Sequence, residues 1–132
     1  QFYVNYVNDT LNYLALKSGK PNEEWELPYP VFKIEEGDVD LDGNVDALVG
    51  VVKSTRFDSI VSKRLFIFKN YKGFVRPLWL GSKMAQPLEN FHFTTVEAKP
   101  IIRTIEKEKS GKYLVAEYKW RKFGLEFIIK LK

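Results

Sequence analysis

The sequence predicts an antiparallel all-β domain whose strands run as successive β-meanders and close into a small sandwich or an open barrel. Three observations point there. Runs rich in Val, Ile, Tyr, Phe and Trp recur at spacings of roughly ten residues, separated by clusters of Gly, Pro, Asn, Asp and Ser, the pattern of short strands joined by turns. Within these runs apolar and polar residues alternate: Leu125, Phe127, Ile129 and Leu131 are expected on one face, with Glu126 and Lys130 on the other. Little of the chain carries the longer period of an amphipathic helix. With 132 residues, 45% of them hydrophobic and 15% aromatic, the chain is sized for a single domain, residues 1–132, with a well-filled interior.

Phe2 to Val7 and Leu11 to Leu16 are expected to pair around Asn8-Asp9-Thr10, residues whose side chains bond the local backbone in turns. The same three residues spell a glycosylation sequon, but the turn accounts for them. Ser18-Gly19-Lys20-Pro21-Asn22 is a loop by composition. Glu23 to Leu27 reads as a short strand with Trp25 in the core, and Pro28-Tyr29-Pro30 stops it, since proline cannot donate to a ladder. Val31 to Ile34 and Ala47 to Lys53 are strands on either side of an acidic segment. Ser54 to Ser62 is polar enough to be an excursion, after which Lys63 to Lys69 resumes the strand pattern. Asn70-Tyr71-Lys72-Gly73 turns the chain into Phe74 to Leu80, and Gly81-Ser82 breaks it. Four more strands follow at Phe91 to Val96, Lys99 to Glu106, Lys112 to Trp120 and Leu125 to Leu131, with turns at Ser110-Gly111 and Phe123-Gly124. The expected total is about nine or ten strands.

The acidic segment is Asp38-Val39-Asp40-Leu41-Asp42-Gly43-Asn44-Val45-Asp46. Four carboxylates held close together repel one another, and a bound cation removes that conflict. The spacing suits Ca²⁺, which takes oxygen ligands from side chains at loop positions one, three and five and from a backbone carbonyl at seven. Here these are Asp38, Asp40, Asp42 and the carbonyl of Asn44, with Asp46 closing the shell directly or through water. Gly43 is placed to take a positive φ that a Cβ resists. Strands, not helices, flank the loop, and its twelfth position is Val49 where an EF-hand needs Glu, so that reading fails. Dockerin modules fail too, since they pair two such loops with helices.

Gly37-Asp38-Val39-Asp40-Leu41-Asp42-Gly43-Asn44-Val45-Asp46-Ala47-Leu48-Val49 resembles the FG-GAP or VCBS repeat, the calcium-binding blade motif also seen in the N-terminal region of integrin α chains. The likeness extends over roughly residues 25–82, through Trp25, Pro28-Tyr29-Pro30, Arg64-Leu65-Phe66-Ile67-Phe68 and Pro77-Leu78-Trp79-Leu80-Gly81-Ser82. It implies meanders of propeller-blade type, and a Ca²⁺ held by Asp38, Asp40, Asp42, Asn44 and Asp46 that braces a blade hairpin. It also implies a surface that binds other molecules. A closed propeller needs typically four to eight four-stranded blades. This chain has strands for two or three, so the implied form is a blade-derived sandwich or open barrel, or an assembly of chains. Residues 87–132 read as a degenerate second blade without an acidic loop.

The net charge of +4 is unevenly spread. Residues 1–50 carry three Lys against ten acids, net −7, and residues 51–132 carry eighteen Lys and Arg against seven acids, net +11. The cations of the second part alternate along strands and do not cluster, which is the pattern of a solvated face and not of a nucleic-acid groove. No apolar run is long enough to span a membrane. Cys is absent, which removes disulfides and thiolate ligands. A calcium loop of this kind fills outside the cytoplasm, so the expectation is an exported bacterial protein, periplasmic or at the cell surface, with its signal peptide removed.

No catalytic constellation emerges, and the chain is read as a non-enzyme. His92 stands alone on a strand, and Glu23, Glu24 and Glu26 lack the paired geometry that glycoside hydrolysis needs. Trp25 and Trp79 sit in apolar runs and read as core. Tyr118, Trp120 and Arg121, in a tip where aromatics interleave with cations, form the alternative site of a carbohydrate-binding module. The leading reading is a calcium-stabilised binding or assembly module whose partner is another protein or a glycan.

Overall fold

The computed structural model describes residues 1–17, 23–55, 58–81, 84, 86–121 and 124–131. Among them the chain is all-β, with eleven strands in three antiparallel sheets and no helix. Each sheet is a meander of consecutive strands. The first joins β1 (Phe2–Asn8), β2 (Leu11–Leu16) and β3 (Glu24–Leu27). The second joins β4 (Val31–Gly37), β5 (Asp46–Thr55), β6 (Asp58–Tyr71) and β7 (Phe74–Trp79), and the third joins β8 (Leu88–Val96), β9 (Lys99–Lys107), β10 (Tyr113–Arg121) and β11 (Gly124–Leu131). No sheet closes into a barrel, and the stacking of sheet on sheet is that of a small β-sandwich.

The middle sheet is covered on both faces, which explains why its two central strands carry continuous apolar runs, Ala47 to Val52 (with Gly50) in β5 and Leu65 to Phe68 in β6. Ala47, Val49 and Val51 of β5 and Phe66 and Phe68 of β6 pack with Phe2, Leu14, Leu16 and Leu27 of the first sheet. The intervening Leu48, Leu65 and Ile67 point the other way, against Leu88, Phe91, Ile102, Leu114, Ala116 and Tyr118 of the third. Two cores therefore share one sheet. Gly50 interrupts the apolar run of β5 because the Phe32 ring lies over it, and a Cβ there would meet that ring at 2.5 Å. Phe32 in turn meets Phe91 edge-on, with centroids 6.2 Å apart.

The turns follow local chemistry. Thr10 donates its N–H to Asn8 Oδ1 at 2.8 Å, which closes the first hairpin. Lys72 and Gly73 both have positive φ, and Gly73 donates to Asn70 Oδ1 at 2.8 Å, the geometry a two-residue hairpin loop needs. Of the expected excursion over Ser54 to Ser62, residues 56–57 lie outside the described residues; the rest belongs to strands, since β5 runs to Thr55, β6 begins at Asp58, and Thr55 pairs with Asp58 and Lys53 with Ser62. Backbone pairing carries the ladder past the end of the apolar run. The expected loop over residues 18–22, the break at Ser82 and the turn at Phe123 lie outside the described residues.

The alternation expected along β11 holds for only half of it. Phe127 pairs with Tyr118 and Ile129 with Glu117, leaving Ile128 as an extra residue in the strand. Such a bulge shifts the register by one. Leu125 and Phe127 then lie opposite core residues, whereas Ile129 and Leu131 lie opposite Glu117 and Val115 on the outer face.

Glu35 of β4 clasps the middle sheet to the third. It accepts the Phe93 N–H at 2.7 Å and pairs with Lys33 at 2.9 Å and His92 Nδ1 at 3.1 Å. Burial alone would raise its pKa, but the Phe93 N–H, Lys33 and His92 outweigh burial and hold it below the ordinary 4.5. A depressed carboxyl contributes stability that is present above about pH 4.5 and lost as the pH falls through the folded-state value. Glu35→Gln is therefore expected to flatten this part of an acid-unfolding curve; a curve superimposable on that of the wild type would show that the clasp contributes nothing. Among the described residues no helix is long and apolar enough to cross a membrane.

Candidate metal centre

The loop of residues 38–45 joins β4 to β5 and is closed at its base by the pairing of Gly37 with Asp46. Val39 is its anchor. The side chain is buried in the second core, and the N–H donates to Asp46 Oδ2 at 2.9 Å. Asp38 organises the outer turn by accepting from Asp42 N at 3.2 Å and Gly43 N at 2.9 Å, and Asp42 Oδ1 accepts from Asn44 N at 2.9 Å. Gly43 adopts φ 89°, as its position required, and Leu41 adopts φ 57°, a conformation that L side chains rarely take. The backbone N–H groups of Val39, Asp42, Gly43 and Asn44 are thus bound to the loop's own carboxylates.

This loop brings one oxygen each of Asp38, Asp40, Asp42 and Asp46 within 4.8 Å of one another, a group that could hold a metal ion. Asn44 enters through its N–H to Asp42 and is otherwise exposed. Two of the carboxylates carry an oxygen with no hydrogen-bond partner although it is shut off from solvent: Asp40 Oδ1 and Asp46 Oδ1. Asp46 is wholly buried. An unsatisfied buried carboxylate oxygen costs free energy, and native structures rarely leave one without a proton or a cation nearby.

The electrostatics reflect this. Burial, reinforced by the charges of Asp40, Asp42 and Asp38, pushes the Asp46 carboxyl up to about 7 against the opposing Val39 N–H. At the rim, desolvation of Asp42 is outweighed by the Asn44 N–H and by Lys69, so its pKa is lowered. Lys69 lies 3.1 Å from Asp42 Oδ2 and 3.4 Å from Asp40 Oδ2, and its own pKa is raised, first by the hydrogen bond to Asp42. It comes from β6, where Ala47 pairs with Phe68 and so sets the next residue beside the loop. The sequence reading missed Lys69, because only strand register carries it there.

The alternative site is placed differently. Tyr118 is buried, donates its hydroxyl to Glu106 at 2.8 Å and meets Phe127 edge-on. It presents no open ring face to a sugar, a correction that follows from its position on the inner face of β10. Trp120 is half-buried against the second core, and Arg121 is exposed and paired with Glu126 at 3.1 Å. Glu106 itself, expected only as a strand residue, is wholly buried and also accepts the Gln86 N–H at 2.7 Å and the Thr104 hydroxyl. Trp25 and Trp79 pack against the first and second cores, as their apolar surroundings suggested.

No family model matches the chain, and neither characterised proteins nor solved structures match it significantly. The functional reading is therefore carried by the geometry of the loop.

Proposed function

We propose that this chain is a non-catalytic, calcium-stabilised β domain that serves as a binding or assembly module of an exported bacterial protein. The observation that carries the reading is the wholly buried Asp46, a member of the four-carboxylate group, whose Oδ1 has no hydrogen-bond partner. The donor set favours calcium: it is all oxygen, drawn from alternate residues of one loop, as hard Ca²⁺ requires. One oxygen from each carboxylate lies within 4.8 Å of the others, close enough to share a single ion. Residues Asp38, Asp40, Asp42 and Asp46 would supply side-chain oxygens, and Asn44 its carbonyl.

The resemblance of residues 37–49 to FG-GAP and VCBS loops supports the same ion, and so does the place of the loop between the first two strands of a four-stranded meander. In this reading the metal is structural: it ties β4 to β5 and seats Val39 in the second core. The partner is a protein or a glycan outside the cytoplasm, where calcium is abundant enough to fill a weak site.

Calorimetric titration of Ca²⁺ into EDTA-stripped protein tests the proposal. One site per chain is expected, with little heat from Mg²⁺ under the same conditions. A flat Ca²⁺ titration of folded protein would end the metal reading.

A further inference from the structure

Building on the reading of the 38–46 loop as a calcium site, we propose that Lys69 is a tethered competitor for that site, which neutralises the acid cluster when metal is absent and weakens its affinity for Ca²⁺. The geometry carries this. The Lys69 ammonium contacts Asp42 Oδ2 at 3.1 Å and Asp40 Oδ2 at 3.4 Å, and both carboxylates belong to the four-membered group. Among the described residues, the ion pairs made by that group all go to Lys69. The cation is also held in place. It stands on β6, a strand paired on both sides, directly after the fully buried Phe68, and its side chain is only 24% exposed.

One ammonium cannot do the whole work of a divalent ion. It has three donors and a single charge. From the rim it reaches the outer oxygens of Asp40 and Asp42, while Asp40 Oδ1 and the buried Asp46 Oδ1 stay unpartnered. Those inner oxygens are where a metal adds what the lysine does not supply. An incoming Ca²⁺ must either draw Asp40 and Asp42 away from the ammonium or bind beside a fixed positive charge, and both routes lower affinity. The two states differ in what they satisfy: lysine relieves part of the repulsion and keeps the loop formed, and calcium relieves the rest. This arrangement sets the site to fill only where calcium is plentiful, and it makes the metal-free loop tolerable during folding.

The test compares wild type, Lys69→Met, Lys69→Gln and Lys69→Arg after stripping with EDTA, by calorimetric Ca²⁺ titration and by thermal melts without metal. Lys69→Met, which keeps the length of the stem and removes the charge, is expected to bind Ca²⁺ about tenfold more tightly, the ratio that corresponds to about 1.4 kcal/mol. Its metal-free form is expected to melt below the wild type, because the carboxylates lose their only counter-charge among the described residues. Lys69→Arg should stay weak in binding. Lys69→Gln, whose amide still donates to a carboxylate, repeats the comparison if the Met variant folds poorly. Equal or weaker Ca²⁺ binding by the neutral variants, with binding by the wild type intact, overturns the role of Lys69 alone. An absence of binding by the folded wild type and the neutral variants together overturns the calcium reading and this inference with it.

Discussion

In Ca²⁺ at a hundredfold excess over its dissociation constant, the protein is expected to melt about 10 °C higher than in EDTA. A ligand bound only by the folded state contributes about 2.7 kcal/mol at that saturation. The unfolding entropy expected for a chain of 132 residues converts this into the stated shift. Asp46→Asn should abolish it. Asparagine keeps an oxygen that can accept the Val39 N–H, now 2.9 Å from Asp46 Oδ2, so the loop retains its anchor. What it loses is the buried charge that a cation would answer. The metal-free variant should therefore match or exceed the metal-free wild type, since three neighbouring carboxylates no longer face a fourth. Asp40→Ala should also lose the calcium response, but with a lower baseline, because Lys69 then keeps only Asp42. Equal melts of the wild type with and without calcium would contradict the expectation directly.

Phe68→Ala is expected to destabilise the protein by about 3–5 kcal/mol, read as a fall of roughly 10–20 °C in Tm at fixed calcium. Phe68 is fully buried in the first core, with ring centroids 5.8 Å from Trp25 and 6.4 Å from Phe66. It joins the middle sheet to the first sheet, and its backbone pairs with Ala47 next to the acidic loop. Removing the ring leaves a cavity between two sheets, which rigid strands fill poorly. The consequence reaches the loop as well, because the register that positions Lys69 depends on the same pairing. Tyr6→Ser, at a side chain 58% exposed on β1, should move the melt by less than about 0.5 kcal/mol equivalent. If the two variants melted alike, the first core would not be what holds the sheets together.

The strands were legible wherever local chemistry sets them. Asn8, Lys72-Gly73 and Ser110-Gly111 lie at hairpin turns, and the strands between them fall close to the runs of apolar and β-branched residues. The acidic loop was legible for a related reason: its four carboxylates and Gly43 are contiguous, so spacing alone brings them together. The errors have a common source. The outward turn of Ile129 and Leu131 comes from a bulge set by pairing with β10, and the burial of Tyr118 comes from the third sheet packing on the second. Neither has a signature in its own strand.

By itself, then, the sequence determined the all-β class, the turns and the side chains that gather in the loop, because these depend on residues a few positions apart. Only the tertiary structure decided that the middle sheet is covered on both faces, that Asp46 is buried with an unpartnered oxygen, and that Lys69 is the cation beside it. Lys69 and Asp42 are distant in sequence, and their meeting depends on the pairing of β5 with β6 and the burial of Phe68. Such contacts arise from register and packing, which local periodicity does not encode.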